Sequence, residues 1–236
     1  MKRILNISVD TETCVIADKP PVSYKPQPED NLTCYLIGIS WWKFQKEQME
    51  KVKSSDILDH DYISFNPYTS FEGLHCIKEF CTWLQKRANE YDLINLFFFN
   101  ATFDFSYLQK ELIATFGEKN FDSVRKDDDD LLYAVFMFTH NGKKRRIKIH
   151  DLCTLNRMAL AKVYKSFPGV KKKNVEGYGK YMKFNEDGSI KGYWLYNLKE
   201  AGFDKDGKPT EIRELSWTDW EPVSYTHLRA HETRHD

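Results

Sequence analysis

The stretch "DLINLFFFN" (92–100) constrains this chain more than any other. Its core, "LINLFFF", is the longest apolar run, far short of the about 20 residues a membrane helix needs. A short, nearly continuous apolar run reads as a strand buried on both faces. Such a strand needs a layer above and a layer below, which calls for helices packed on a central sheet.

The flanking sequence supplies those layers. "RILNISVD" (3–10) and "TCYLIGISWW" (33–42) read as strands. Apolar residues at Phe71, Leu74, Ile77, Cys81 and Leu84 have the spacing of an amphipathic helix over 71–90. "FDFSYLQKELIATFG" (103–117) predicts a second helix, closed by Gly117. "LLYAVFMFTHNGKKRRIKIHD" predicts a hairpin turning at Asn141-Gly142, and "TLNRMALAKVYKSF" a further helix stopped by Pro168-Gly169. The Pro-rich "ADKPPVSYKPQPED" is loop, and the charged "KFQKEQMEKVKSSDILDHD" is an exposed excursion. Residues 171–222 yield no clear element, and no internal repeat is present. The expected fold class is mixed α/β, with helices on a mixed central sheet plus a β-hairpin.

Composition narrows the setting. Lys+Arg and Asp+Glu both count 35, so net charge points to no polyanionic partner, although a neutral total can hide a basic groove. Aromatic residues reach 15%, which fits a Phe-rich core before it fits stacking platforms for bases. The five cysteines are odd in number, irregularly spaced and form no C-x-x-C, which predicts free thiols in a reducing compartment. "MKRILNISVDTET" reaches Asp10 too soon to be a signal peptide.

The first strand delivers Asp10-Thr11-Glu12. Residues i and i+2 of a strand share a face, so both carboxylates can converge on a cation. Asn100 and Asp104 follow directly on the buried strand, where open α/β sheets place their ligands. If the two strands are neighbours, Asp104 can join Asp10 and Glu12. Three carboxylates can hold two Mg²⁺ or Mn²⁺ ions about 3.5–4 Å apart, the clamp for in-line phosphoryl displacement.

D-x-E ending the first strand, then N-x-x-F-D after a buried strand, resembles the proofreading 3′–5′ exonuclease domain of family B DNA polymerases. "DTET" and "TLNRM", which fits [S/T]-L-x-x-hydrophobic, resemble the protein-primed branch of phages and linear plasmids. The resemblance covers roughly residues 3–222 and implies the ribonuclease-H-like fold. It also implies that Asp10, Glu12 and Asp104 bind metal, and that Thr13, Asn100 and Phe103 hold the single-stranded 3′ end of primer DNA. Thr154 and Leu155 match a second contact to that strand. A catalytic lysine is expected among Lys171, Lys172 and Lys173, with Lys173 favoured on spacing. The implied parent is a DNA polymerase primed by a terminal protein, monomeric, without a membrane association, in a bacterial host's cytoplasm.

One expected motif is not found. The family carries a late Tyr-x-x-x-Asp, yet the fourth residue after Tyr178, Tyr181, Tyr193 and Tyr196 is Met182, Asn185, Asn197 and Glu200. Thr218-Asp219-Trp220-Glu221 is a capping box that should start the helix carrying it. Instead the chain reads "VSYTHLRAHET", which resembles the translation of a transposase sequencing adapter. The expected division is therefore 1–222, an exonuclease domain incomplete at its C-terminal end, and 223–236, an adapter-derived tail. Excision by the fragment is expected to be weak or absent. The tail contains H-E-x-x-H at His231–His235, the pattern of zinc proteases, so that motif is discounted.

Among other stretches, "KDDDD" (126–130) reads as a solvated loop, because consecutive acids do not converge. "KKRR" (143–146) fits equally a solubilising hairpin tip or a contact to the DNA backbone. Asp151 is expected to cap a helix or to be a polar neighbour, and His75 to be structural. The alternatives to a polymerase fragment are a stand-alone DEDD-type nuclease and a non-catalytic single-strand-binding module.

Overall fold

The computed structural model describes residues 3–21, 31–43, 68–126, 130–153, 181–196 and 212–216. It has the mixed α/β architecture expected, compatible with a ribonuclease-H-like exonuclease fold. The chain divides into two compact units, and strand β1 (Ile4–Ile16) contributes its first part to one and its last part to the other. No helix among the described residues is long and apolar enough to cross a membrane.

The first unit is built on β4 (Leu93–Phe98), which is buried on one face and only half-buried on the other, where Asn95 and Phe97 stand, and so is not buried on both faces as its apolar run suggests. It lies between two parallel neighbours, β1 on one side and β7 (Lys143–Asp151) on the other. Antiparallel strands β6 (Asp130–His140) and β5 (Phe121–Lys126) follow β7 in the sheet. Alternate residues of β1, β4 and β7, among them Leu5, Ile7, Ile94, Leu96, Phe98, Ile147 and Ile149, are buried. Burying a side chain of this size stabilises by about 1.5–3 kcal/mol, so this stripe fixes the register. Helix α1 (Cys76–Glu90) brings in Phe80 and Leu84, and helix α2 (Ala101–Phe116) brings in Phe105, Leu108 and Leu112. Gly117 caps α2, donating its N–H to Ile113 O. The predicted hairpin is present, with Asn141 and Gly142 both at positive φ (49° and 71°), as a two-residue I′ turn requires.

The second unit contains the last residues of β1, the start of β2 (Leu32–Lys43) and an antiparallel set, β8 (Tyr181–Phe184), β9 (Ile190–Tyr196) and β10 (Ile212–Ser216). β8 runs parallel to the end of β1, pairing Val15 with Tyr181. Cys14, Met182, Ile190 and Tyr193 form its core, with Tyr35 and Phe184 packed against them. Trp194 donates its indole N–H to Ala17 O at 2.9 Å.

Several boundaries differ from the sequence reading. β1 continues past Asp10 to Ile16, because the β-branched Thr11, Thr13 and Val15 suit an extended strand. Helix α1 starts at Cys76 rather than Phe71. Residues 68–72 instead form strand β3 (Tyr68–Glu72), which pairs with β2. Phe71 still packs on Phe80 and Trp83, with ring centroids 5.7 and 6.2 Å away, so its apolar spacing reported a shared core and not a shared helix. The free thiols are as expected: Cys14, Cys34, Cys76, Cys81 and Cys153 are all unpaired as disulfides. The helix expected at "TLNRMALAKVYKSF", most of the Pro-rich loop, the charged excursion, three residues of "KDDDD" and the tail from Val223 lie outside the described residues.

Candidate active site

In the parallel order β1, β4, β7, each strand has a buried acid on it or just after it. Asp10 is on β1, Asp104 is in the first turn of α2 just after β4, and Asp151 closes β7. Their exposures of 8%, 1% and 8% distinguish them from solvated strand-end acids.

Asp104 is held by the first strand itself. Its Oδ1 accepts from the backbone N–H of Thr11 at 3.0 Å and from the Thr11 hydroxyl. The middle residue of D-x-E therefore fastens the acid from the buried strand to the strand that carries Asp10. The sequence reading assigned Thr11 no part; a hydrogen-bonding β-branched residue between the two acids was the available signal.

Asp151 holds the other side. Its Oδ1 accepts from Asn100 N at 3.1 Å and from Cys153 N at 2.8 Å. The chain turns helical at Leu152, so the bond to Cys153 is an N-cap bond, in agreement with the expected capping role. The bond to Asn100 fixes the β4–α2 junction. Asn100 lies in the left-handed region (φ 66°, ψ 58°), which Asn tolerates better than most residues. Its side chain makes no cap bond and is exposed. Phe103, one turn on, is half-buried, with its ring edge-on to Tyr107 at 5.3 Å.

A polar ladder crosses the same three strands. Asn95 donates to Asn6 at 2.8 Å, and His150 Nε2 lies 3.1 Å from Asn95 Oδ1. The His150 ring stacks on Phe97 at 5.0 Å. Burial, then the nearby Lys148 charge, hold the His150 pKa below its ordinary 6.5. Within "KKRR" the residues separate. Arg145 is buried, ion-paired with Asp92 and bonded to Asn89 O, whereas Lys143, Lys144 and Arg146 are exposed.

Of the remaining site residues, Glu12 and Thr13 are half-buried on β1, whereas Thr154, Leu155 and Lys171–Lys173 lie outside the described residues. Among the described residues, no group of three or more His, Cys, Asp and Glu side chains is placed to hold a metal ion. A three-acid cage is not a requirement for Mg²⁺, which is commonly held by one or two carboxylates together with water and substrate phosphate. Asp10 and Asp104 are hard oxygen donors on adjoining elements, and that donor chemistry fits Mg²⁺ or Mn²⁺.

No protein-family model matches this chain, and no curated protein matches it. Among solved structures, it is similar to phi29 DNA polymerase complexed with primer-template DNA (post-translocation binary complex). The identity is 13% and the TM-score 0.48, over 80% of this chain and 27% of that one. This chain thus spans about a quarter of that polymerase's length. The functional reading rests on the residues of this chain.

Proposed function

We propose that this chain carries the proofreading 3′–5′ exonuclease domain of a protein-primed family B DNA polymerase. The observation supporting it is a buried acid on β1, Asp10, whose neighbour Thr11 bonds a second buried acid, Asp104, just after the parallel strand β4. The Thr11 bonds account for part of the burial of Asp104. A phosphodiester substrate and divalent cations give a reason for a second buried acid, Asp10, on the same strand as Thr11.

In this reading Asp10 and Asp104, with Glu12 further along β1, hold Mg²⁺ or Mn²⁺. When bound, the ions neutralise phosphate charge and activate water for in-line attack on the terminal phosphodiester. The chain's own residues bind and orient the strand. The exposed Asn100 amide reaches sugar or phosphate, Phe103 wedges against the terminal base, and Thr13 adds a hydroxyl contact. Thr154 and Leu155 make a second contact, and Lys173 neutralises phosphate charge. The substrate is the single-stranded 3′ end of primer DNA. A terminal protein would prime the whole polymerase, in a bacterial host's cytoplasm.

The test is a Mn²⁺ titration followed by electron paramagnetic resonance. The chain should bind Mn²⁺, and Asp10→Asn should weaken binding at least tenfold. No bound Mn²⁺, or equal binding by Asp10→Asn, would overturn the proposal.

A further inference from the structure

The proposed exonuclease chemistry makes no use of the basic side of β7. Burial along this strand alternates strictly from Lys144 to Asp151: Arg145, Ile147, Ile149 and Asp151 are buried, while Lys144 and Arg146 are exposed and Lys148 and His150 half-buried. Four basic or imidazole side chains therefore follow one another on one face, about 7 Å apart. Among the described residues, Lys144, Arg146 and Lys148 form no ion pair. Asp10 on β1 and Asp122 on β5 are on this face, each two strands away from β7.

The neighbours on this face are partly exposed, apart from the buried Val135. The register sets Asn95 and Phe97 of β4 beside Lys148 and His150. On the other side, Tyr133, Val135 and Met137 of β6 stand opposite His150, Lys148 and Arg146. Phe97 and His150 are stacked, Tyr133 is half-buried, and Met137 is 49% exposed. A solubilising surface needs scattered charge and no rings. This one has a line of cations, without an ion pair among the described residues, beside a row of rings.

We propose that this face of the first unit's sheet binds single-stranded nucleic acid. The backbone follows Lys144, Arg146 and Lys148, whose spacing is comparable to that of phosphates in an extended strand, and bases lie on His150 and Tyr133. A duplex is disfavoured, because a flat face offers nothing to enter a groove and paired bases cannot stack on the rings. The surface needs no metal, so binding in EDTA separates it from the metal-dependent chemistry proposed for Asp10 and Asp104.

Fluorescence anisotropy with labelled oligothymidylate in EDTA tests this. The chain should bind, and Lys144→Gln/Arg146→Gln/Lys148→Gln should weaken binding at least tenfold. The slope of log K against log salt should fall by about 2, as expected for three lost phosphate contacts on a single strand. A control that removes equal charge from exposed helical and turn positions, Lys86→Gln/Lys110→Gln/Lys119→Gln, should change affinity less than twofold. Circular dichroism confirms folding of each variant. No binding in EDTA, equal loss in both triple variants, or equal affinity for a duplex overturns the proposal.

Discussion

At the scale of single residues, the acids are held by partners with measurable roles. Thr11 donates twice to a carboxylate that is 1% exposed. Thr11→Val keeps the shape and removes one donor. A hydrogen bond to a charged group contributes about 1.5–3 kcal/mol, and urea denaturation should show a loss of that size. His150 makes a second case. Its pKa is lower in the folded chain, so below 6.5 the unfolded state binds more protons. The stability from keeping the ring neutral is full above 6.5 and is lost as pH falls from there toward the folded value. Urea midpoints measured between about pH 8 and 5 should fall, and His150→Gln, which keeps an amide toward Asn95, should flatten that fall. An unchanged slope would mean that the imidazole does not contribute.

At the scale of elements, turn chemistry separates two glycines. Gly142 has φ +71°, with open space where a Cβ would go. Gly73 has φ +88°, and there a Cβ would meet the backbone oxygen of Gly188 at 2.5 Å. Gly142→Ala incurs only the positive-φ penalty of about 1–2 kcal/mol. Gly73→Ala must also displace the β8–β9 turn, whose Gly188 O accepts from Leu74 N. Thermal unfolding should show the larger loss for Gly73→Ala; equal losses would mean that the turn yields freely. The same elements show what the sequence could reveal. β4, α2 and the Asn141-Gly142 hairpin were legible because run length, a closing Gly and a turn dipeptide act locally. β5 and β8–β10 were not. "FDSVRK" alternates without a strong apolar face, and the late strands are short and mix aromatic with charged residues. Their identity depends on pairing, not on local preference. D-x-E and N-x-x-F-D marked Asp10 and Asp104, but only the parallel register of β1 and β4 sets their carriers side by side.

At the scale of the whole molecule, the two-metal reading demands more acid than the described residues bring together. In-line displacement with two ions needs donors for both, and the family proposed above places its last acid in a late Tyr-x-x-x-Asp. After Lys173 this chain has Met182, Asn185, Asn197 and Glu200 where that acid would stand. In the proposed site, Asp10 and Asp104 would serve one ion, with water and phosphate as remaining ligands. Metal binding and excision should therefore come apart. The chain should bind Mn²⁺ yet trim a 5′-labelled single-stranded oligonucleotide no faster than its own Asp10→Asn variant, when products are resolved by denaturing gel at saturating Mg²⁺. Strand binding should survive in both, because the cations of β7 are independent of the acids. Fast 3′ trimming that disappears in Asp10→Asn would show that another group supplies the second ion's ligands. The Tyr-x-x-x-Asp would then be dispensable.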